Sequence, residues 1–379
     1  MKDFFVFLKA IAVFLGTVIG VGIFGLPFVA AKSGFPIAFV YLGLAALFVI
    51  LIQRFYSEVV LGTDKIHRLP GYVAEYLSPI WGKLVFLVIS LGCVGSLIAY
   101  LIIGGQFLFA IFSPFFGGAP ALYSVIFFLP AAYLVFKGIK SIAEVELFLS
   151  FVFISILVLF LVLSLPFMKV GNFKTIHFDN LTLPYGVMLY ALWGSSIIPE
   201  IKEYFSLSCN KKQVKSKLRK TLFFGLIFCS LFYLLFIVAV FGACGFSTTE
   251  DAISGMQAVL GSSATNLGFI FGVVACFTSF LALGLTLKKV LWYDFNVPKN
   301  MAWAATCFFP LCLFALGLRR FIDIIGFTGA VALGLEGIII IFLYKEFLKD
   351  KLKKKMNSAI YLLALVFVLG IVFEIVKLF

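Results

Sequence analysis

The stretch LGTVIGVGIFGLPF, residues 15–28, decides the fold of this 379-residue chain. It lies inside the first long apolar segment, yet it contains four glycines and closes near Pro27. In a helix interior a glycine costs about 1 kcal/mol relative to alanine, and a proline costs about 3 kcal/mol. A segment that is long enough to cross a membrane is therefore weakened near its middle. The pattern predicts a membrane-spanning helix that is interrupted at these glycines.

The composition of the whole chain supports a membrane protein. Hydrophobic residues make up 63% of it and charged residues 12%, whereas soluble domains contain about 45–50% apolar and about 25% charged residues. The mean hydropathy is +1.17. A spanning helix needs roughly 20 apolar residues, so we predict an all-α polytopic protein in the lipid bilayer of the cell membrane. Its eleven predicted spans are residues 5–31, 36–60, 84–111, 121–136, 146–168, 184–205, 221–243, 265–290, 301–318, 321–344 and 358–377.

The positive charge is distributed unevenly between the two sides of these spans. The chain has a net charge of +13, with 30 Lys and Arg residues. If the N-terminus is cytoplasmic, 22 of the 30 fall on the inner side and six on the outer side. Positive residues favour the cytoplasmic side, which predicts N-terminus in and C-terminus out. The basic runs KSKLRK, residues 215–220, and KDKLKKK, residues 349–355, then lie beside anionic lipid, and a nucleic-acid partner is not expected.

Eleven spans divide into two blocks of five and one remaining helix. Because five is odd, the second block starts on the opposite side of the membrane, which is the topology of an inverted-repeat transporter. We therefore predict one transmembrane transporter domain, 1–379, built from a first repeat at about 5–168 and a second at about 184–344. The extra helix occupies about 358–377.

The first span of the second repeat is interrupted at a matching position. It reads LPYGVMLYALWGSSIIPEIKEYF, residues 183–205, with a Gly-Ser-Ser sequence in its middle followed by Pro199. Non-helical backbone survives in a bilayer only where it is buried in protein or faces water. Free N–H groups favour a carboxylate and free carbonyls favour a cation, so an amino acid with a coupling cation fits both. The alternative is close helix packing through the G-x-x-x-G spacing of Gly16 and Gly20.

Four stretches resemble a known family. GTVIGVGIFGLPFVAAKSGF, residues 16–35, and FTSFLALGLTLKKVLWYDF, residues 277–295, resemble the hydroxy and aromatic amino acid permeases, which include tyrosine and tryptophan permeases. WGSSIIPEI, residues 193–201, and AYLIIGGQ, residues 99–106, are similar to stretches of the wider amino acid/auxin permease group of the amino acid–polyamine–organocation superfamily. The resemblance implies a leucine-transporter-type fold and the cation-coupled import of amino acids by secondary active transport.

The resemblance also implies a site between the two interrupted spans. The first and sixth spans would form opposite walls, and the third and eighth would complete the site. The implied substrate-binding residues are Thr17, Gly20, Val21, Gly22, Tyr100, Trp193, Gly194, Ser195 and Ser196. The implied cation-binding groups are the carbonyls of Gly16 and Ile19 with the hydroxyls of Thr278 and Ser279.

The rest of the pocket is expected to be apolar, because ligand sites combine apolar walls with a few placed polar groups. Tyr100, Trp193 and Phe277 are the expected wall, which fits a hydrophobic or aromatic substrate. Phenylalanine makes up 49 of the 379 residues, so the substrate class follows mainly from the resemblance.

The coupling ion is left open between Na⁺ and H⁺. Thr278 and Ser279 carry the hard oxygen atoms that a Na⁺ site needs, but hydroxyls in membrane helices also bond to carbonyls of their own helix. The fifth span contains no lysine that would replace the cation, as some relatives in the superfamily have. This excludes one proton-coupled solution without establishing sodium.

Charged side chains inside the spans are functional candidates by default. Glu336 is the deepest acid, and it is either a proton carrier or a structural partner of Arg54 or of a backbone donor. Arg54 also lies four residues before Glu58, which favours a pair on one helix face. Glu200 follows the proline of the sixth span and is expected to stabilise its inner half. Asp294 either closes an inner gate with an N-terminal lysine or is simply solvated.

Other classes of protein find little support. The seven cysteines form no C-x-x-C pair, the two histidines begin no metal or acid–base signature, and no P-loop or G-x-S-x-G motif is present. We therefore expect neither an enzyme nor an ATP-driven pump, no cofactor or metal beyond a coupling Na⁺, and no obligate protein partner. The remaining alternative is an amino acid-sensing receptor subunit of the same fold that carries out no net transport.

Overall fold

The computed structural model describes residues 2–138, 152, 155–207 and 209–377, and within them every regular element is a helix. The start of the predicted fifth span lies outside the described residues. The α-helices are α1 (Lys2–Val18), α2 (Gly22–Ser33), α3 (Phe35–Gly62), α4 (Leu69–Tyr76), α5 (Pro79–Phe116), α6 (Pro120–Lys137), α7 (Ser155–Phe167), α8 (Leu183–Leu192), α9 (Ile198–Ser206), α10 (Lys211–Cys244), α11 (Ile253–Lys289), α12 (Lys299–Ala315), α13 (Phe321–Phe327), α14 (Gly334–Lys351) and α15 (Ile360–Val376).

Several of these helices are long and apolar enough to cross a bilayer. Among the described residues, six segments meet that requirement by length and composition, and the bent pair of α1 and α2 makes a seventh. The six are α3, α5, α6, α10, α11 and the continuous segment from α13 to α14. The multi-pass character predicted from the sequence is therefore confirmed. The count of eleven spans and the orientation in the membrane stay predictions.

The ends of α10 show how local sequence sets helix boundaries. Asn210 accepts a hydrogen bond from the Gln213 backbone N–H at 2.9 Å, and the Gln213 side chain accepts one from the Asn210 N–H at 3.1 Å. This reciprocal capping box satisfies two N–H groups that the first turn leaves unpaired. At the other end Gly245 has φ 56°, a left-handed conformation that favours glycine and ends the helix.

Glycines allow α8 to approach the tenth predicted span closely. A Cβ at Gly186 would lie 2.8 Å from the Gly326 carbonyl carbon, and a Cβ at Gly329 would lie 2.8 Å from the Gly186 carbonyl carbon. Because both contacts are with backbone, a larger side chain at Gly186 or Gly329 would push the helices apart. This packing seats α8 against α13 and against the π-helical turn Thr328–Leu333 that follows it.

Aromatic rings place α2 in the centre of the bundle. Phe24 of α2 meets Phe107 of α5 edge-to-face at 5.2 Å and Phe236 of α10 at 6.5 Å, measured between ring centroids. All three rings are buried in the main core, and edge-to-face pairs of this kind stabilise beyond simple area burial. The start of α2, where the first predicted span is interrupted, is therefore surrounded by protein.

Candidate functional site

The first interruption lies between α1 and α2. The two helices are bent by 59° across Ile19–Val21. At the break the Gly20 N–H donates to the Val18 carbonyl at 3.0 Å instead of reaching back four residues to Gly16. The carbonyl of Gly16 is therefore released from the α-helical pattern, as expected for the last turn of a helix. The interruption predicted from the glycines is confirmed.

The second interruption lies between α8 and α9. Trp193 is extended, with φ −70° and ψ 127°, and Gly194 has φ −150° and ψ 30°. A 3₁₀ turn, Ser195–Ile197, then leads into α9. Pro199 occupies the first turn of α9, where its missing N–H removes no intrahelical bond. The sequence prediction of an interrupted sixth span is confirmed.

The two interruptions lie against each other. A Cβ at Gly22 would lie 2.9 Å from the Ala191 Cα, so the start of α2 touches the end of α8 through backbone atoms. A Cβ at Gly194 would collide with the side chain of Val18 at the end of α1. Glycine at these two positions therefore allows the broken helices to cross at van der Waals distance.

Tyr233 of α10 joins the two interruptions directly. Its buried hydroxyl lies 2.9 Å from the Val18 carbonyl oxygen and 2.8 Å from the Ala191 carbonyl oxygen. A phenol has one proton, so it donates to one of these carbonyls at a time. Sequence reasoning missed this residue. The available signal was a tyrosine in the middle of an apolar span, where a buried hydroxyl requires a hydrogen-bond partner.

The residues expected to line the substrate are divided between the break and its surroundings. The hydroxyl of Tyr100 on α5 would lie 3.7 Å from a Cβ at Gly20, so it covers the first break as expected. Thr17 is exposed and donates to the Val13 carbonyl of its own helix at 3.0 Å. Ser196, in the second break, is also exposed. The structure therefore brings Tyr100 and Gly20 together and leaves the two hydroxyls at accessible positions.

Of the predicted residues of α11, Thr278 bonds within its own helix and Phe277 contacts a neighbouring one. The Thr278 hydroxyl donates to the Val274 and Ala275 carbonyls of its own helix, at 3.2 and 3.1 Å. The lone pairs of this oxygen remain available to a cation. Phe277 packs edge-to-face on Phe127 of α6 at 5.7 Å. The cation role of Thr278 and the wall role of Phe277 stay predictions.

Comparisons with known proteins identify the family. A model of the tryptophan/tyrosine permease family matches residues 5–377. The chain belongs to this family. The resemblance found in the sequence is therefore confirmed, and the permease is a multi-pass cell-membrane protein rather than an enzyme. The sensor alternative receives no support from the comparisons.

A curated relative and several solved structures are similar to the permease. Glutamine transporter 2 of Aliivibrio fischeri (strain ATCC 700601 / ES114) is 27% identical over 216 residues, which span 55% of this chain and 54% of that protein. The crystal structure of MhsT in complex with L-phenylalanine aligns with a TM-score of 0.66 and 16% identity, covering 98% of both chains.

Two further structures support the same fold. Inward-facing Mhp1 aligns with a TM-score of 0.68 and 14% identity, covering 92% of this chain and 78% of that one. The Eremococcus coleocola manganese transporter aligns with a TM-score of 0.68 and 13% identity, covering 98% and 86%. These likenesses confirm the leucine-transporter-type fold.

Glu336 of α14 is in direct contact with the second break of the permease. The Ser195 hydroxyl donates a hydrogen bond to a carboxylate oxygen of Glu336, and the Trp193 indole faces the same carboxylate. The Trp193 ring also packs edge-to-face on Phe367 of α15 at 6.4 Å. Two residues predicted to bind substrate, Ser195 and Trp193, therefore turn towards a buried acid of α14.

Arg54 is engaged elsewhere. Its guanidinium lies 3.6 Å from Glu58, as the four-residue spacing predicted. Glu58 also pairs with Arg219 of α10 at 3.1 Å and accepts a hydrogen bond from the Tyr344 hydroxyl of α14 at 2.8 Å. The expectation that Arg54 is the structural partner of Glu336 is therefore wrong in this arrangement, because the nearer carboxylate on its own helix holds it.

Glu200 and its neighbour on α9 hold that helix against the rest of the bundle. Glu200 lies 3.4 Å from the Arg68 guanidinium just before α4. Lys202 donates to the Val60 and Thr63 carbonyls at the end of α3, at 2.7 and 2.8 Å. The expected stabilising role of Glu200 is consistent with this ion pair.

Asp294 occupies the π-helical turn Val290–Asp294 that follows α11. Its side chain lies outside the described side chains, so the predicted gate stays a prediction.

Proposed function

We propose that this permease is a secondary active transporter that imports amino acids across the cell membrane by alternating access. The observation that carries the proposal is the convergence of two interrupted helices at Tyr233, which contacts a terminal carbonyl of each. Binding sites of inverted-repeat transporters lie between such discontinuous helices near the bilayer midplane. Membership of the tryptophan/tyrosine permease family supports the same assignment.

The geometry of the breaks suits a zwitterionic substrate. The first turn of α2, beginning at Gly22, carries the positive end of the helix dipole, and its Ile23 and Phe24 N–H groups make only long bonds, at 3.3 and 3.2 Å, to the Gly20 and Val21 carbonyls. The last carbonyls of α1 carry the negative end and include the released carbonyl of Gly16. In our proposal the substrate carboxylate binds at the N–H groups, and its ammonium group binds at the carbonyls.

The substrate side chain is proposed to be hydrophobic or aromatic. Tyr100 lies over the first break and Trp193 flanks the second, so aromatic surface is available on both sides. The family description names tryptophan and tyrosine, and MhsT, which has a similar fold, is described with L-phenylalanine. One curated relative is named a glutamine transporter, so a substrate screen must include glutamine.

A cation, Na⁺ or H⁺, is proposed to stabilise the loaded state. For Na⁺ the proposed ligands are the Gly16 and Ile19 carbonyls with the Thr278 and Ser279 hydroxyls, which are the oxygen donors that a hard cation prefers. The bundle formed by the first, second, sixth and seventh predicted spans then moves against the remaining helices. Movement of the broken helices exposes the site to one side of the membrane at a time.

Transport by purified protein tests this proposal. The permease is reconstituted in proteoliposomes, and labelled amino acids are screened under separate Na⁺ and pH gradients. Accumulation of an amino acid, strongest for the aromatic and hydrophobic ones, is the expected result. Absence of accumulation for every amino acid under both gradients would show that the proposed function is wrong.

The site itself is tested with Gly20→Leu. A Cβ at Gly20 would meet only the Tyr100 hydroxyl, so a leucine side chain should fit the fold and occupy the substrate space. We expect uptake to fall at least about 10-fold, the effect of losing about 1.4 kcal/mol, with normal membrane insertion. Gly43→Leu is the matched control, because Gly43 of α3 faces open space, and it should retain uptake. Normal transport by Gly20→Leu would place the substrate elsewhere.

A further inference from the structure

Glu336 is a buried acid that has no cationic partner among the residues that the structure describes. It is 8% exposed. Three other acids of the membrane helices, Glu58, Glu200 and Glu374, each lie within 4.0 Å of a lysine or arginine. None of the ion pairs formed by the described residues includes Glu336. Buried charges are normally paired, so this carboxyl group differs from those three acids.

In the part of the chain that the structure describes, the groups that face Glu336 from neighbouring helices do not supply a positive charge. Tyr56 of α3 and Cys93 of α5 lie within electrostatic range, and both side chains are ordinarily neutral at pH 7. Arg68 acts on these two residues but is paired with Glu200. From α15 the packing group is the apolar ring of Phe367.

Polar groups approach the second break from two sides. From α14 the carboxylate of Glu336 accepts the Ser195 hydroxyl. From α3 comes Gln53, which is 1% exposed, and neither its side-chain nitrogen nor its oxygen has a hydrogen-bond partner among the described residues. The Gln53 amide nitrogen would lie 3.6 Å from a Cβ at Gly194. The break is therefore flanked by one polar side chain that forms a hydrogen bond, Glu336, and by one whose amide has no partner among the described residues, Gln53.

The protonation state of Glu336 changes what the break can bond to. An ionised carboxylate only accepts hydrogen bonds, whereas a protonated carboxyl group also donates one. An ionised carboxylate without a cation is strongly disfavoured in a buried site. An arrangement of the bundle in which Glu336 is buried therefore favours the protonated form. Opening of the site to water favours release of the proton. The proton therefore binds two arrangements of the bundle with different affinity, which is the requirement for coupling.

We propose that Glu336, with Ser195 as its hydrogen-bond partner, is the proton-binding site that couples substrate import to a proton gradient. The proposal rests on the proposed function and specifies its coupling ion. In each cycle one proton enters from the outer solution and forms the O–H bond of the Glu336 carboxyl group. The same proton leaves to water on the inner side, so no other reactant is consumed. The hydrogen bond between Ser195 and Glu336 links the protonation state of the carboxyl group to the second helix break.

The irregular backbone around Glu336 suits such a role. The π-helical turn Thr328–Leu333 ends three residues before it, and π-turns are frequent at functional sites. Ser195 begins the 3₁₀ turn of the second break. The hydrogen bond therefore joins the 3₁₀ turn of one predicted span to the first turn of α14, just after the π-helical turn of another.

Glu336→Gln tests the proposal, because the amide keeps the shape and cannot exchange a proton in this range. Proteoliposomes are assayed for pH-gradient-driven accumulation and for counterflow, the exchange of labelled for unlabelled substrate without a gradient. We expect counterflow to persist and accumulation to fall at least about 10-fold. Glu374→Gln is the matched control, since Glu374 is an equally buried acid that Lys377 pairs at 3.6 Å, and it should keep both activities. Wild-type accumulation by Glu336→Gln would overturn the proposal.

Two further measurements distinguish loss of proton coupling from a folding defect. Glu336→Asp keeps the carboxyl group and should restore part of the pH-driven accumulation, whereas equal loss in the Asp and Gln variants would overturn the proposal. A pH indicator inside the vesicles should report proton entry with substrate in wild-type protein. Accumulation driven only by Na⁺, with no proton entry, would overturn the proton site and leave the proposed transport function intact.

Discussion

A single hydroxyl group at Tyr233 contacts both interrupted helices. Its two acceptors are the carbonyl of Val18 at the end of α1, which also accepts the Gly20 N–H at 3.0 Å, and the carbonyl of Ala191 near the end of α8. Because the bilayer interior provides no water, each of these carbonyls needs a partner from within the protein. The hydroxyl is therefore placed where it affects both the stability of the breaks and the position of the groups proposed to bind substrate.

Tyr233→Phe should weaken both stability and substrate binding. Loss of the hydroxyl should lower stability by about 1 kcal/mol and raise the KM for substrate, because the two helix ends are no longer held together. Uptake kinetics and the melting temperature in detergent measure these effects. Tyr123→Phe is the control, since the Tyr123 hydroxyl donates to the Gly117 carbonyl at 2.7 Å, outside the breaks. It should lose stability and keep its KM, and an unchanged KM for Tyr233→Phe would contradict the prediction.

At the scale of the helices, α9 is held by its charged residues. Lys202 bonds two carbonyls at the end of α3, and cations at helix C-termini are favourable because of the helix dipole. The Arg68–Glu200 pair adds a second link, to the start of α4. These links tie the second half of an interrupted helix to two neighbours, so its movement requires them to break or to move together.

Lys202→Met should loosen α9 while keeping most of its apolar contact surface. We expect a loss of about 1 kcal/mol from the partly buried helix-end interaction. Hydrogen–deuterium exchange of the peptide containing 198–206 should therefore become faster, together with the end of α3. Lys212→Met on the exposed side of α10 is the control and should leave these rates unchanged. Equal exchange in both variants would show that Lys202 does not hold α9.

The N-terminus of α11 carries a buried acid outside the membrane spans. Asp251 accepts hydrogen bonds from the Thr249 hydroxyl at 2.5 Å and from the Ser254 N–H at 3.3 Å. Burial raises the pKa of Asp251 above its ordinary value, although the bonds from Ser254 and Thr249 act in the opposite direction. The folded protein therefore binds this proton more tightly than the unfolded chain.

The stability that Asp251 contributes should depend on pH in a defined direction. It is fully present below the ordinary pKa of aspartate and is lost as the pH rises through the raised pKa of the folded state. Asp251→Asn should remove this component and keep an oxygen acceptor for the helix N-terminus. Melting temperatures between about pH 3 and 8 compare the two proteins. Identical pH profiles would contradict the raised pKa.

At the scale of the molecule, the orientation in the membrane follows from charge. The basic runs at 215–220 and 349–355 both lie on the predicted cytoplasmic side. The extra helix α15 follows the run at 349–355. Positive residues near the ends of spans remain on the cytoplasmic side during insertion. An N-terminus inside and a C-terminus outside is therefore the predicted arrangement.

Reporter fusions test this orientation. Alkaline phosphatase fused after Phe379 should be active because it reaches the outer side, whereas green fluorescent protein at the same position should be dark. Fusions after Lys355, before α15, are the control and should give the reverse result. Fluorescence from the fusion after Phe379 would show that the predicted orientation is wrong.

Local properties of the chain were sufficient to predict the membrane helices and the two helix breaks. The excess of apolar residues predicts membrane helices because hydropathy is additive along the chain, and the glycines of both breaks predict weak helix because propensity is local. Glu336 is conspicuous for the same reason, since an acid within an apolar segment is visible without any contact map. Gly25 of the first predicted span packs on Ile325 and Ile322 of α13.

Contacts between distant residues required the tertiary structure. Ser195 and Glu336 are 141 positions apart, and Tyr233 is 215 positions from Val18. Arg54 pairs with Glu58 on its own helix, as their spacing predicted, whereas the contacts of Glu58 with Arg219 and Tyr344 depend on how α3, α10 and α14 pack. Sequence patterns identify groups that need a partner, because burial of a polar group is unfavourable wherever it occurs. Which partner is found depends on the packing of whole helices, and this sets the chemistry of the site.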